Sequence, residues 1–353
     1  MSVPAAVVDR AAEFTEVAGA SIAAHFGDPD QEYEAAHDGV GLAHRSRRAL
    51  LRVGGSDRCK FLQGLLTSDV TKLVPGDGQA ALFLDTKGHV RGILDLWAEE
   101  DAIVVGCDVG FVESALPDLA KYVLAADVSI EDRHGLETVI GVHGAGSDDA
   151  LTRAGIDLPG DSPRAHVTAR IADTDVRLAR TPDLGTVGVE VHVPTGAVND
   201  VWAALEEAAR DFAPVYVGWN VAEILRVEAG VAGFGREISG DEFPQEVRLD
   251  EAVDYEKGCY LGQETVARIH YRGRVNRMLS GLRAGAPLTS GAKLISSDKE
   301  VGRVTSAVVS PRFGPIALGY VRREESEAGA ALEVRADGAD LGTARVVSLP
   351  FDD

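Results

Sequence analysis

Apolar and polar positions in this chain repeat with two different periods, and the switches between them outline its elements. Residues 31–38 carry a helical pattern stopped by Gly39, and residues 50–53 read as a short strand turned by Gly54-Gly55-Ser56. Ser56 is then placed to cap a helix running through Leu66, with Phe61, Leu62, Leu65 and Leu66 on one face. Three alternating segments, 79–85, 89–98 and 102–107, are joined by Thr86-Lys87-Gly88 and Glu99-Glu100-Asp101, which predicts an antiparallel meander. A helix over 109–124, started or interrupted at Pro117, and a strand at 127–130 complete a first round.

A second round follows, with a strand at 138–142, a helix at 147–154, strands at 167–171, 176–180 and 187–193, and a helix at 197–210. The next helix is expected over 216–230. In it Asn220 and Glu223 form a variant capping box, Val221, Ile224, Leu225 and Val227 face inward, and Gly230 stops the helix. A further helix is expected at 263–269. Behind it the pattern changes to short strands between glycine turns, at 279–283, 293–296, 300–309, 315–321, 331–335 and 342–348, the signature of a small β-barrel. The economical reading is an α+β protein. Two mixed modules with antiparallel sheets occupy 1–135 and 136–275, and a barrel domain occupies 276–353.

The length of 353 residues supports two or three domains, and 45% hydrophobic with 26% charged residues is the composition of an ordinary globular protein. No apolar run approaches the ~18 residues that span a bilayer, and residues 1–11 lack the basic start of a secretory signal. Cys59, Cys107 and Cys259 are too few and too widely spaced for a disulfide framework or a self-contained metal site, so a reducing, cytoplasmic setting is expected. A monomer with no membrane partner is expected as well. The net charge of −21 argues against direct nucleic-acid binding by the molecule as a whole. Residues 237–256 hold eight acids and one base, Arg248, whereas 265–297 hold no acid and six bases, beginning with Arg268, Arg272 and Arg274. The sign flips across 257–264, and an anionic ligand or partner would be attracted just after Cys259.

Three groups are candidates for chemistry. Cys259 has Lys257 two residues away and a helix ahead of it, a setting that favours thiolate; the alternative is a small apolar residue. Cys59 and Cys107 read as core. Glu228 ends a helix, where the dipole disfavours an anion, so it either accepts N–H donors from a heterocycle or pairs with Arg226 or Arg236. The arginines after Cys259 suit carboxylate or phosphate recognition, or form a solvated basic face. Neither a P-loop, a Gly-x-Ser-x-Gly elbow nor a His-Glu-x-x-His motif occurs.

Lys257-Gly258-Cys259-Tyr260-Leu261-Gly262-Gln263-Glu264, followed by Val266-Ala267-Arg268 and Arg272-Gly273, resembles the signature of the YgfZ family of folate-binding proteins. That family is a branch of the superfamily typified by GcvT, the aminomethyltransferase of the glycine cleavage system. Arg226-Val227-Glu228-Ala229-Gly230, Gly188-Val189-Glu190 through Pro194, and 302–351 resemble further superfamily elements. The resemblance implies three lobes around a folate channel, with tetrahydrofolate as cofactor. Glu228 would meet the pterin, Arg226 and Glu190 would lie nearby, and Arg268, Arg272 and Arg274 would meet the glutamate tail. The Asp-Asp pair of aminomethyltransferases is replaced by the single Asp95 of Gly92-Ile93-Leu94-Asp95, and Thr181-Pro182-Asp183-Leu184-Gly185 stands where Tyr-Thr-Gly-Glu is expected. The resemblance therefore implies an accessory role in iron–sulfur cluster assembly or repair, with Cys259 and Lys257 as the working pair, client iron–sulfur enzymes or assembly factors as partners, and a link to tRNA modification. A folate-dependent one-carbon transferase using Asp95, and a folate-free scaffold, are the alternatives.

Overall fold

A computed structural model describes residues 3–123, 126–336 and 339–352. The chain opens with α1 (Ala5–Arg10), the hairpin β1 (Glu13–Val17) and β2 (Ala20–His25), and α2 (Pro29–His37). Helix α2 starts at this point because the Asp28 carboxylate accepts from Gln31 N at 3.2 Å and Pro29 needs no donor partner. The first round follows as β3 (Gly41–His44), β4 (Arg48–Gly54), α3 (Arg58–Gln63), β5 (Gly78–Leu84), β6 (Val90–Ala98), β7 (Ala102–Asp108), α4 (Val109–Ser114), α5 (Leu116–Ala120) and β8 (Ser129–Asp132). The second is β9 (Glu137–His143), α6 (Ser147–Arg153), β10 (His166–Ile171), β11 (Thr174–Arg180), β12 (Gly188–Pro194), α7 (Val198–Ala208), β13 (Val215–Val217) and α8 (Trp219–Glu228). After a long irregular stretch come α9 (Gln263–Arg272) and six strands: β14 (Arg277–Ala284), β15 (Lys293–Ser296), β16 (Lys299–Ser310), β17 (Gly314–Arg322), β18 (Ala331–Ala336) and β19 (Ala339–Val347).

Contacts divide the chain into two compact units, one of residues 1–63, 69–81 and 93–222 and the other of 64–68, 82–92 and 223–353. The first contains a six-stranded sheet in the order β10-β11-β12-β9-β3-β13, in which β13 runs parallel to β3. Trp202, Leu42, Ile140, Val142, Val189 and Val191 lie in its core, where Trp202 Nε1 donates to the Tyr216 hydroxyl at 2.9 Å. A five-stranded sheet, β5-β6-β7-β4-β8, contains the expected meander, and the tip of its β5–β6 hairpin, 82–92, is counted with the second unit. The second unit holds the barrel, closed in the order β14-β17-β16-β15-β18-β19 around Leu282, Leu294, Val304, Val334 and Val346. Closure leaves no unpaired edge, which is how so small a sheet avoids pairing with other chains. No helix among the described residues is long and apolar enough to cross a membrane.

The expected strands are present with ends shifted by at most three residues, but β1, β2, β3 and β13 were not expected, and several helix ends differ. The Ser56 hydroxyl donates to the Asp127 carboxylate at 2.8 Å instead of capping α3, which stops at Gln63. The expected helix over 109–124 is two short helices broken at Ala115 ahead of Pro117, and residue 124 lies outside the described residues. The strand expected at 127–130 sits two residues later. Tyr216 belongs to β13, not to the helix, and α8 begins at Trp219 with the Gly218 carbonyl accepting from Ala222 N at 3.1 Å. Glu223 therefore forms no capping box with Asn220; its carboxylate is taken by arginines instead.

Candidate functional site

In the second unit the chain around Cys259 is fixed on both sides. Asp254 N donates to Thr67 O at 2.9 Å and Leu261 N to Gly64 O at 3.1 Å, while the Asp254 carboxylate accepts from the amides of Glu256 and Lys257 at 2.9 and 3.0 Å. The Lys257 side chain is buried, and its ammonium donates to the carbonyls of Leu66 and Ser68 at 2.6 and 2.7 Å. Lys257 thus anchors the loop, whereas Cys259 is exposed. Two glycines let the β5–β6 turn approach this loop. Gly262 has φ of +80°, and a Cβ there would lie 2.5 Å from Asp85 O; Gly88 has φ of +91°, and a Cβ there would lie 3.1 Å from Gly262 O. Of the other cysteines, Cys107 is fully buried, as expected, and burial pushes its thiol up to about 12, whereas Cys59 is only half-buried.

Helix α9 buries Val266 and exposes Glu264, Arg268, Tyr271 and Arg272, with Arg274 exposed just beyond it. None of the three arginines has a carboxylate partner among the described residues. Arg226 is the opposite case. Its guanidinium donates to Glu223 at 3.0 Å, to Glu237 at 3.0 Å, to Val231 O at 2.6 Å and to the Ser306 hydroxyl at 2.8 Å, so every edge is used within the protein. Glu228 is buried at the end of α8 and accepts from the Ser310 hydroxyl on β16; Arg226 and Arg236 both go to Glu223 rather than to Glu228.

A second polar cluster lies within the first unit, on three strands. Strand register sets Asp95 on β6 opposite Gly106 on β7, and Glu190 on β12 opposite Gly141 on β9. Arg48, at the start of β4, reaches both carboxylates: it pairs with Asp95, lies 3.2 Å from Glu190 and lies 3.9 Å from Asp183. Arg164 pairs with the other oxygen of Asp95, and Arg45 lies 3.4 Å from Asp183 and 3.7 Å from Glu190. Three arginines balance three carboxylates where little water enters, the condition under which buried charge is tolerated.

Burial pushes the Glu190 carboxyl up, but Arg48, the His192 hydrogen bond and Arg45 outweigh it and hold the group below the usual carboxylate range. Burial acts on Asp95 in the same way, and Arg48 and Arg164 hold it down. Asp183 lies above the usual range because burial, with Asp95 and Glu190 as like charges, outweighs its arginines. Burial and the neighbouring Arg45 lower His143 to about 3. Arg45 donates to His143 Nε2 at 3.4 Å, and His143 Nδ1 and Glu190 Oε1 are buried without hydrogen-bond partners.

Sequence reasoning placed Glu190 and Asp95 but missed the residues that control them: Arg45, Arg48, Arg164, Asp183, His143 and His192. The available signals were the basic run Arg45-Ser46-Arg47-Arg48 ahead of β4 and the Asp183 substitution in Thr-Pro-Asp-Leu-Gly. Arg164 comes from a connecting segment with no pattern to mark it.

Residues 4–257 match the GCVT N-terminal domain, and residues 277–353 match the glycine cleavage T-protein C-terminal barrel domain. The chain belongs to the GCVT family. Among curated members, an aminomethyltransferase of Cutibacterium acnes is 28% identical, covering 96% of this chain and 94% of the relative. One from Saccharopolyspora erythraea is 29% identical over the same shares. The crystal structure of the glycine cleavage aminomethyltransferase of Bartonella henselae superposes with a TM-score of 0.88 at 23% identity, covering 97% of this chain and 95% of that one, and so shows the fold. A GCVT fold with its barrel is thus what holds both polar clusters.

Proposed function

We propose that the protein is a tetrahydrofolate-binding accessory factor for assembly or repair of iron–sulfur clusters in other enzymes, acting through Cys259 in the reducing cytoplasm. The observation that carries this reading is Cys259 itself. It is exposed on a loop whose flanks are pinned to residues 64–68, within the eight-residue motif that resembles the YgfZ branch. A thiolate is the metal-binding form of cysteine, and an outward thiol on an immobilised loop suits contact with a cluster or thiol carried by a second protein.

Folate fits some of the implied residues better than others. The N–H edge of a pterin needs a carboxylate with acceptor capacity to spare, and Glu190 Oε1, buried without a hydrogen-bond partner, has it. Glu228 already accepts from Ser310, and Arg226 is fully engaged, so Arg226 acts by fixing its own helix to the barrel. Bound folate would supply a one-carbon or redox-active ring; the protein binds and orients it.

A folate-dependent one-carbon transferase is the second reading, favoured by the names of the curated relatives. Against it, both oxygens of Asp95 are held by arginines, which leaves that carboxylate fixed as an ion-pair partner rather than facing a substrate amine.

In a strain lacking the native gene, Cys259→Ala is expected to abolish support of client iron–sulfur enzymes; full support would sink the role given to the cysteine. Calorimetry should give saturable tetrahydrofolate binding, weakened at least about tenfold by Glu190→Gln. Ammonia and methylenetetrahydrofolate released from an aminomethyl-lipoyl carrier would instead establish the transferase.

A further inference from the structure

Resting on that reading of Cys259, we infer that the outer stripe of α9 docks a partner protein through a cluster of carboxylates on the partner's surface. Arg268, Tyr271 and Arg272 fall at helical spacing on one exposed face, and Arg274 extends it. The arginines have no carboxylate partner among the described residues of a chain that carries 56 acids, so their donors are left for something outside it. Charge attraction on a protein surface acts over a Debye length of about 8 Å at physiological salt, so this local patch, not the net charge of −21, decides what approaches it.

The face is also preorganised. Tyr271 is 63% exposed, yet its hydroxyl reaches the Tyr255 carbonyl at 3.5 Å and its ring packs edge-on to His270 at 4.8 Å. His270 in turn stacks on Tyr255 with ring centroids 3.6 Å apart. An exposed tyrosine held in place beside arginines is the composition of an interface anchor, because little side-chain entropy is lost when a partner covers it.

Protein carboxylates fit this face better than a nucleic acid does. Glu251, Glu256 and Glu264 are exposed in the stretch that leads into the arginines, so an extended phosphate chain running back along it would meet repulsion, whereas a compact cluster of carboxylates confined to the stripe would not. Cys259 lies just ahead of the helix, so a partner seated on the stripe would be delivered to the thiol.

The test compares the full-length protein with Arg268→Glu/Arg272→Glu and with Tyr271→Ala, using an acidic peptide of about 20 residues and a single-stranded RNA of about 20 nucleotides as probes. The peptide should bind saturably, weaken about tenfold between about 50 and about 300 mM salt, and weaken at least another tenfold in the double variant. Tyr271→Ala should weaken it about threefold to tenfold. The double variant should also lose support of client enzymes, with its tetrahydrofolate binding measured alongside. Full client support by the double variant, or no peptide binding by the native protein, overturns the proposal. Tighter binding of the RNA, lost in the same variant, reassigns the face to nucleic acid, and loss of tetrahydrofolate binding reassigns the arginines to the folate tail. If Cys259→Ala alone leaves clients fully active while the peptide result holds, the iron–sulfur reading fails and the docking face stands.

Discussion

Two arginine clusters, one in each unit, use the same side chain in opposite ways. In the first, Arg45, Arg48 and Arg164 are half-buried and each is committed to carboxylates; in the second, Arg268, Arg272 and Arg274 are exposed and committed to none. A buried guanidinium repays its desolvation only through partners fixed by the fold, so the first set is part of the architecture. An exposed guanidinium keeps its hydration and costs the fold almost nothing, so the second set is free to serve a ligand. Lys257 and Cys259 repeat the contrast two residues apart: the lysine is tied down and the cysteine is open.

This contrast can be broken most strongly at Arg48. Arg48→Ala leaves Asp95 and Glu190 buried without their shared cation and should cost about 3–5 kcal/mol in urea denaturation; a loss below about 1 kcal/mol would mean that water enters the cluster freely. Next is Lys257→Met, which strands the Leu66 and Ser68 carbonyls and should cost about 2–3 kcal/mol, whereas Cys259→Ala should stay within about 0.5 kcal/mol. Equal losses in the two variants would deny that Lys257 is the anchor.

A smaller effect follows from pH. His143 and His44 are lowered by burial to about 3 and about 4, so the unfolded chain takes up protons below pH ~6.5 that the folded chain refuses. Their contribution is complete above that pH and falls by about 1.4 kcal/mol per pH unit per histidine as pH drops toward the folded values. Asp95 and Glu190, held low, add to the loss below the ordinary carboxylate range, while the raised Asp183 opposes it. Denaturation curves at several pH values should show this slope, reduced by about one proton in His143→Gln; an unchanged slope would remove His143 from the account. The smallest effect is expected at Arg272→Ala, within about 0.5 kcal/mol of native stability.

Strands were legible because alternation and glycine turns are local: the barrel segment 293–296 and the meander both stand where the pattern put them. Helix ends were less so. Ser56 and Glu223 have side chains suited to caps, but Asp127, distant in sequence, takes the first, and Arg226 on the same helix with Arg236 takes the second. The Cys259 motif was legible as a contiguous string, although the pairing of Lys257 with that cysteine was not, since its ammonium turns to carbonyls 191 and 189 residues away.

The sequence by itself determined the α+β class, the barrel, and the acid-free stretch that leaves α9 basic, because each depends on neighbours along the chain. Only the tertiary structure decided which charges are spent. Whether an arginine such as Arg226 or Arg268 is consumed or available depends on carboxylates and hydroxyls brought to it by folding, and on how much water remains around it.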